Sequence, residues 1–232
     1  MRLDKAVADL FMMTRTKARE TIKAGGVTLN GCVCADIRAF VTADDIIESG
    51  GRSADTGFVY LMMNKPVDVL SVSRDERQAT VIDLLPEQYR KKGLMTVGRL
   101  DKDTTGLLII TDDGQFSHRI TSPKNHVYKR YAVKYSGQLP ADAAGLFAAG
   151  IALQDGSICR PAQLTQITEG CAEVIICEGK YHQVKRMFAA VSCCVTDLSR
   201  TSIGHMVLDA ALSTGEVRAL DPNELDLLFG KI

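Results

Sequence analysis

The chain has 232 residues, enough for one large domain or for a small domain joined to a medium one. Hydrophobic residues make up 46% and no apolar run approaches the roughly 20 residues that cross a bilayer, which excludes a membrane-spanning helix. Lys and Arg total 28, as do Asp and Glu, so a nucleic-acid partner must be argued from where the charges lie. The opening "MRLDKAVADLF" mixes acids into its apolar residues and has no small-residue cleavage site, so a cytoplasmic protein without a signal peptide is expected. Seven cysteines without a CxxC pair, and four scattered histidines, point to reduced thiols rather than disulfides, and to no metal.

Along the chain, Leu3, Val7 and Leu10 have helical spacing. A second helix starts on a Thr14 cap and stops at Gly25–Gly26. "VTLNGCVC" then predicts strand, Asn-Gly turn, strand. Residues 1–48 are therefore expected to form a small module. The segment 49–57, rich in Gly, Ser and Asp, predicts a linker. From 58 to 232 strands and helices mix. Strands are expected in "FVYLMMNKP", "LMTVGRL", "GLLIIT", "VYKRYAVKY", "CAEVIICEG" and "VTDLSRTSIG". Helices are expected in "LPADAAGLFAAGI", "KYHQVKRMFAAV" and "DPNELDLLF", and a short helix or turn ended by Pro123 in "GQFSHRITSP". Adjacent strands without regular βαβ alternation predict an α+β fold with a mixed, largely antiparallel sheet.

Three charge patterns suggest chemistry. Residues 1–23 carry six basic side chains, including Arg15, Lys17 and Arg19, against three acids. From 114 to 141 there is no acid beyond the boundary, while Arg119, Lys124, Lys129, Arg130 and Lys134 alternate with Tyr128, Tyr131 and Tyr135. Basic side chains match a phosphate backbone, and aromatic faces stack on unpaired bases. In the predicted helix 181–191, Val184, Met187, Phe188 and Val191 form an apolar face, while His182, Lys185 and Arg186 cluster on another side. A turn from Asp101 to Thr105 precedes the apolar run Leu107–Ile110, read as a buried strand. Asp103, Thr104 and Thr105 are expected to hold that turn by local hydrogen bonds. A cation beside a carboxylate favours its charged form and fixes its direction, as a nucleophile or base requires.

The extended run "GRLDKDTTGLLIITDDG" resembles the signature of the RsuA-type pseudouridine synthases. "LMMNKP", "EGKYHQVKRMF" and "LSRTSIG" are similar to other motifs of that family, and residues 1–48 resemble the alpha-L RNA-binding module that usually precedes its catalytic domain. Within the family, "TDDGQFSHRITSP" and "EGKYHQVKRMFAAV" are most similar to the enzyme acting on small-subunit (16S) ribosomal RNA. The resemblance implies that Asp101 is the catalytic carboxylate, that Tyr131 stacks on the target uracil and assists proton removal, and that Lys185 pairs with Asp101, Arg186 being the second candidate. It implies RNA contacts from Arg99, Arg15, Lys17, Arg19, Arg119, Lys129, Arg130, Lys180, His182, Gln183 and Arg186. No cofactor and no metal are implied; ribosomal RNA is the implied partner, of a monomeric enzyme. Two positions depart from the family pattern: Asp68 stands near where a glycine is common, and Lys180 where an arginine is usual. The same chemistry on large-subunit RNA, and a non-catalytic RNA-binding assembly factor, stay open at this point.

Overall fold

The computed structural model describes residues 1–42, 45–55, 57–91 and 93–229. It forms two compact units: residues 1–59 with 85–95 and 111–113, and residues 60–84 with 96–110 and 114–232.

The first unit begins with α1 (Leu3–Leu10) and α2 (Arg15–Lys23). The Thr14 hydroxyl caps α2 by accepting from the Lys17 amide, as the sequence predicts. Strands β1 (Val27–Leu29) and β2 (Cys32–Val33) pair antiparallel across Asn30 and Gly31. Both turn residues have positive φ, 51° and 79°, the requirement of a hairpin turn that matches strand twist. Two further strands, β3 (Ile46–Ser49) and β4 (Arg52–Asp55), complete a four-stranded sheet of order β2-β1-β3-β4. Leu3, Val7, Ala18, Ile22, Val27 and Ile47 form the core of this unit, each at most 1% exposed. The linker expectation at 49–57 is thus corrected over 52–55: Gly50 and Gly51, at φ 58° and 76°, make a second tight hairpin. Thr56 lies outside the described residues.

The second unit is built on β5 (Tyr60–Lys65), β6 (Met95–Thr96, shared with the first), β7 (Thr105–Thr111), β8 (Lys129–Ser136), β9 (Gln163–Thr168), β10 (Cys171–Ile176), β11 (Cys194–Ile203), β12 (Met206–Val207) and β13 (Val217–Ala219). Its helices are α3 (Gly114–Thr121), α4 (Ala143–Ala149), α5 (Gln183–Ala190) and α6 (Pro222–Asp226). The sheet order is β13-β5-β7-β11-β8-β10-β9, with β6 on β7 and β12 on β11. Strands β7 and β11 run parallel, and β11–β8, β8–β10, β10–β9 and β5–β13 are antiparallel. This is the expected mixed, mostly antiparallel α+β arrangement.

Strand β7 lies inside the sheet, and Leu107, Leu108, Ile109 and Ile110 are all fully buried. A strand covered on both faces needs a continuous apolar run rather than alternation. Each such side chain contributes about 1.5–3 kcal/mol on burial. Leu107 and Ile109 pack with Met62, Val97, Phe116 and Ile203. Gly106 opens the strand at φ 98°; a Cβ there would stand 2.3 Å from the Arg200 carbonyl oxygen. The close approach of β7 to β11 therefore depends on glycine.

Candidate active site

The turn before β7 closes with the Thr104 amide donating to the Asp101 carbonyl at 3.1 Å. The two threonines expected to hold it do something else. The Thr104 hydroxyl oxygen is buried without a hydrogen-bond partner among the described residues, and the Thr105 hydroxyl donates to Leu198 O at 3.5 Å. What holds the turn is Lys65, at the end of β5. Its ammonium donates to three carbonyls: Pro66 O (2.8 Å), Thr104 O (3.0 Å) and Lys102 O (3.3 Å). Lys65 is fully buried, and burial pushes its pKa down to about 8 against the opposing pull of Asp103, Asp101 and Asp68. The Asp68 amide also donates to Lys102 O, at 2.9 Å. Asp68 has φ 63°, the left-handed region that glycine adopts freely and aspartate tolerates.

Asp101 is partly exposed at this turn. Lys185 Nζ stands 3.7 Å from its Oδ2 and His182 Nε2 3.6 Å from its Oδ1. Lys185 comes from α5, whose Val184, Met187 and Phe188 are buried as their spacing predicts. Phe188 packs its ring against Phe147 and Tyr135, which anchors the helix. His182 is not within α5, as the helix expected over 181–191 had it, but caps the helix at φ 48° with its ring stacked on Tyr181. The nearer partner of Lys185 is Asp103, with Nζ to Oδ1 at 2.5 Å. That hydrogen bond holds the Asp103 carboxyl below the usual carboxylate range. Lys185 thus serves both carboxylates of the turn.

Tyr131 projects from β8 and is 8% exposed. It shares a cleft with Arg99, Asp101, Thr104, Lys180 and Val184, about 430 Å³ in empty volume. A neighbouring depression of about 1010 Å³ also contains Asp101 and Tyr131, and adds Lys129, Tyr181 and Arg200. The sequence reading did not single out Arg200. It is 3% exposed and donates through Nε to Leu107 O at 2.8 Å.

Many of the predicted RNA contacts already have protein partners. Asp4, fully buried in α1, is held by Arg2, Arg15 and Arg19 at 3.1, 3.0 and 2.8 Å, and Lys17 pairs with Glu20 at 3.6 Å. Arg15 and Arg19 remain about half exposed. In the second unit Arg130 pairs with Glu173, and Arg119 lies 4.1 Å over the Phe229 ring. Arg186 pairs with Asp155 at 2.6 Å, so it is not the partner of Asp101. Lys180 donates through Nζ to Ile158 O. Gln183, also expected as an RNA contact, lines the cleft but is 5% exposed, accepts from the Lys180 amide and donates to Glu178. Arg130 and Lys134 of the acid-free tract are therefore paired by acids from other parts of the chain. Arg99 and Lys129 line the clefts and make no ion pair among the described residues.

Residues 59–190 match the family model for RNA pseudouridylate synthase, and residues 1–47 match that of the S4 domain. A ribosomal small subunit pseudouridine synthase A of Vibrio cholerae is 42% identical, covering 97% of this chain and 98% of its own. Its Escherichia coli counterpart is 40% identical with the same coverage, and an uncharacterized RNA pseudouridine synthase of Bacillus subtilis is 40% identical over 98% of both. A crystal structure of a pseudouridylate synthase superposes with a TM-score of 0.70 at 35% identity, covering 98% of this chain and 99% of the other. The chain belongs to the RNA pseudouridylate synthase family, whose members are RNA isomerases, and carries an S4 domain at its N-terminus.

Proposed function

We propose that this family member converts one uridine of small-subunit (16S) ribosomal RNA to pseudouridine, with Asp101 as the reacting carboxylate. The observation that carries this is the pairing of a rigidly held turn with a carboxylate left free at its tip. Lys65 fixes the backbone around Asp101, while Lys185 and His182 stand close to its oxygens without forming hydrogen bonds shorter than 3.5 Å. The 16S assignment is supported by the full-length relatives named for the small subunit.

The target base leaves its stack at a cost of a few kcal/mol, and stacking on Tyr131 offsets roughly 1–3 kcal/mol of that. The bond from ribose C1′ to uracil N1 breaks, the base turns, and C1′ bonds to uracil C5. The C5 hydrogen leaves as a proton, so no oxidant and no energy donor enter. Asp101 starts the sequence by adding to the sugar or the uracil ring, or by removing a ribose proton; each route needs the ionised carboxylate. Lys185 orients that carboxylate and offsets negative charge at the turn. Tyr131 holds the base and assists loss of the C5 proton. The S4 unit presents Arg15, Lys17 and Arg19 to structured RNA. The enzyme acts as a monomer in the cytoplasm, in ribosome biogenesis.

The test is tritium release from 16S RNA labelled at uracil C5, with and without small-subunit proteins. Wild type is expected to release one equivalent per RNA, and Asp101→Ala none at an unchanged melting temperature. Turnover by Asp101→Ala would overturn the catalytic assignment. Release from large-subunit RNA alone would overturn the 16S target.

A further inference from the structure

Lys129 and Arg200 are two cations on one wall, and neither makes an ion pair among the described residues. Tyr131 and Arg200 are direct cross-strand partners, and Lys129 lies two residues before Tyr131 on β8. Successive residues of a strand alternate faces, and cross-strand partners share one. Lys129, Tyr131 and Arg200 therefore occupy the same face of the sheet and line the same depression. Arg200 Nη2 is buried and has no hydrogen-bond partner among the described residues. A guanidinium does not shed its proton at physiological pH, so this buried charge must be answered by an anion or be tolerated at a cost. Neither acid of the same depression bonds that nitrogen: Glu178 acts on Lys129 through its charge and accepts on Oε1 from the Arg160 amide and from Gln183, and Asp101 is flanked by Lys185 and His182. Burial, with a smaller contribution from Arg200 and against the pull of Glu178, pushes the Lys129 pKa down to about 8. Two like charges held together beside Tyr131 are suited to an anion.

We infer that Lys129 and Arg200 seat a backbone phosphodiester of the target nucleotide while its base lies on Tyr131. The seat would hold the ribose carbon at a fixed distance from Asp101, tying recognition of the chain to placement of the reacting atom. The inference rests on the proposed activity.

The experiment first maps the modified uridine by carbodiimide primer extension. RNA is then assembled by splinted ligation with a single uncharged methylphosphonate on the 5′ or the 3′ side of that uridine. Wild type, Lys129→Met and Arg200→Lys are compared by kcat/KM on each RNA. At one of the two linkages, wild type is expected to lose about tenfold. Lys129→Met is expected to lose about tenfold on ordinary RNA, and no more than about twofold further on that substituted RNA. Arg200→Lys should show the same non-additivity; if the lost Leu107 contact unfolds it, Lys129→Met decides alone. Losses that multiply would make these residues structural and overturn the seat, as would indifference of wild type to both linkages. Absence of turnover by wild type on every ribosomal RNA would instead remove the proposed activity, and the seat with it.

Discussion

Two aspartates in this chain receive cationic neighbours in opposite ways. Asp4 is fully buried and saturated: three guanidiniums reach it at 2.8–3.1 Å, and they hold its carboxyl well below the usual carboxylate range. Asp101 keeps about a quarter of its side chain exposed, with its cationic neighbours at 3.6 and 3.7 Å. The first arrangement uses every lone pair to fasten helices. The second fastens the backbone through Lys65 and leaves the carboxylate oxygens available. The two carboxylates thus differ less in the residues around them than in which atoms those residues hold.

Swapping charge for amide at the two positions separates their roles most sharply. Asp101→Asn is expected to lower turnover by about 10⁴-fold or more while the melting curve stays in place; an intact rate would erase the contrast. Lys185→Met should lower kcat by about 100-fold with a smaller change in RNA affinity. Equal losses in both would make Lys185 a phosphate contact. Lys65→Met strands three carbonyls, and about 3 kcal/mol of stability should go with it, read by urea denaturation. Asp4→Asn should cost about 2 kcal/mol at neutral pH. The sign of its pH dependence follows from the depressed folded-state pKa. Asp4 stabilises above its ordinary value of 3.8, and that contribution drains away as pH falls below it. Wild type and Asp4→Asn should therefore converge in melting temperature on acidification; curves that stay parallel would deny Asp4 its role. The smallest effect is at Asp68, where glycine relieves a positive φ. Asp68→Gly is expected to gain about 0.5 kcal/mol without changing turnover.

The sequence carried the local signals well. The Thr14 cap, the Asn30–Gly31 hairpin and the buried face of α5 each depend on neighbours within a few residues, and each is present in the structure. Asp101 could be picked out because a turn of charged residues stands before a fully apolar strand. Lys65 could not, because a lysine ending a strand looks solvated until the fold brings the turn at 102–104 onto it. Arg200 was hidden for the same reason: a single arginine in "LSRTSIG" gives no hint that β8 and β7 enclose it. The hairpin at 46–55 was legible in principle. Its Gly-Gly turn carries the same positive-φ signal as Asn-Gly, but polar composition in β4 obscured the strands.

The parallel pairing of β7 with β11 has a consequence for how the protein is made. It joins Thr105 to Ser199, and β5 pairs Leu61 with Ala219. Such separations raise contact order, and chain closure over them is slow, on the order of milliseconds to seconds. The N-terminal helices and first hairpin, by contrast, make contacts between near neighbours and can form as they emerge from the ribosome. The cleft around Asp101 takes shape only after residue 200 has been synthesised, so during its own translation the chain holds its S4 domain well before it holds that cleft.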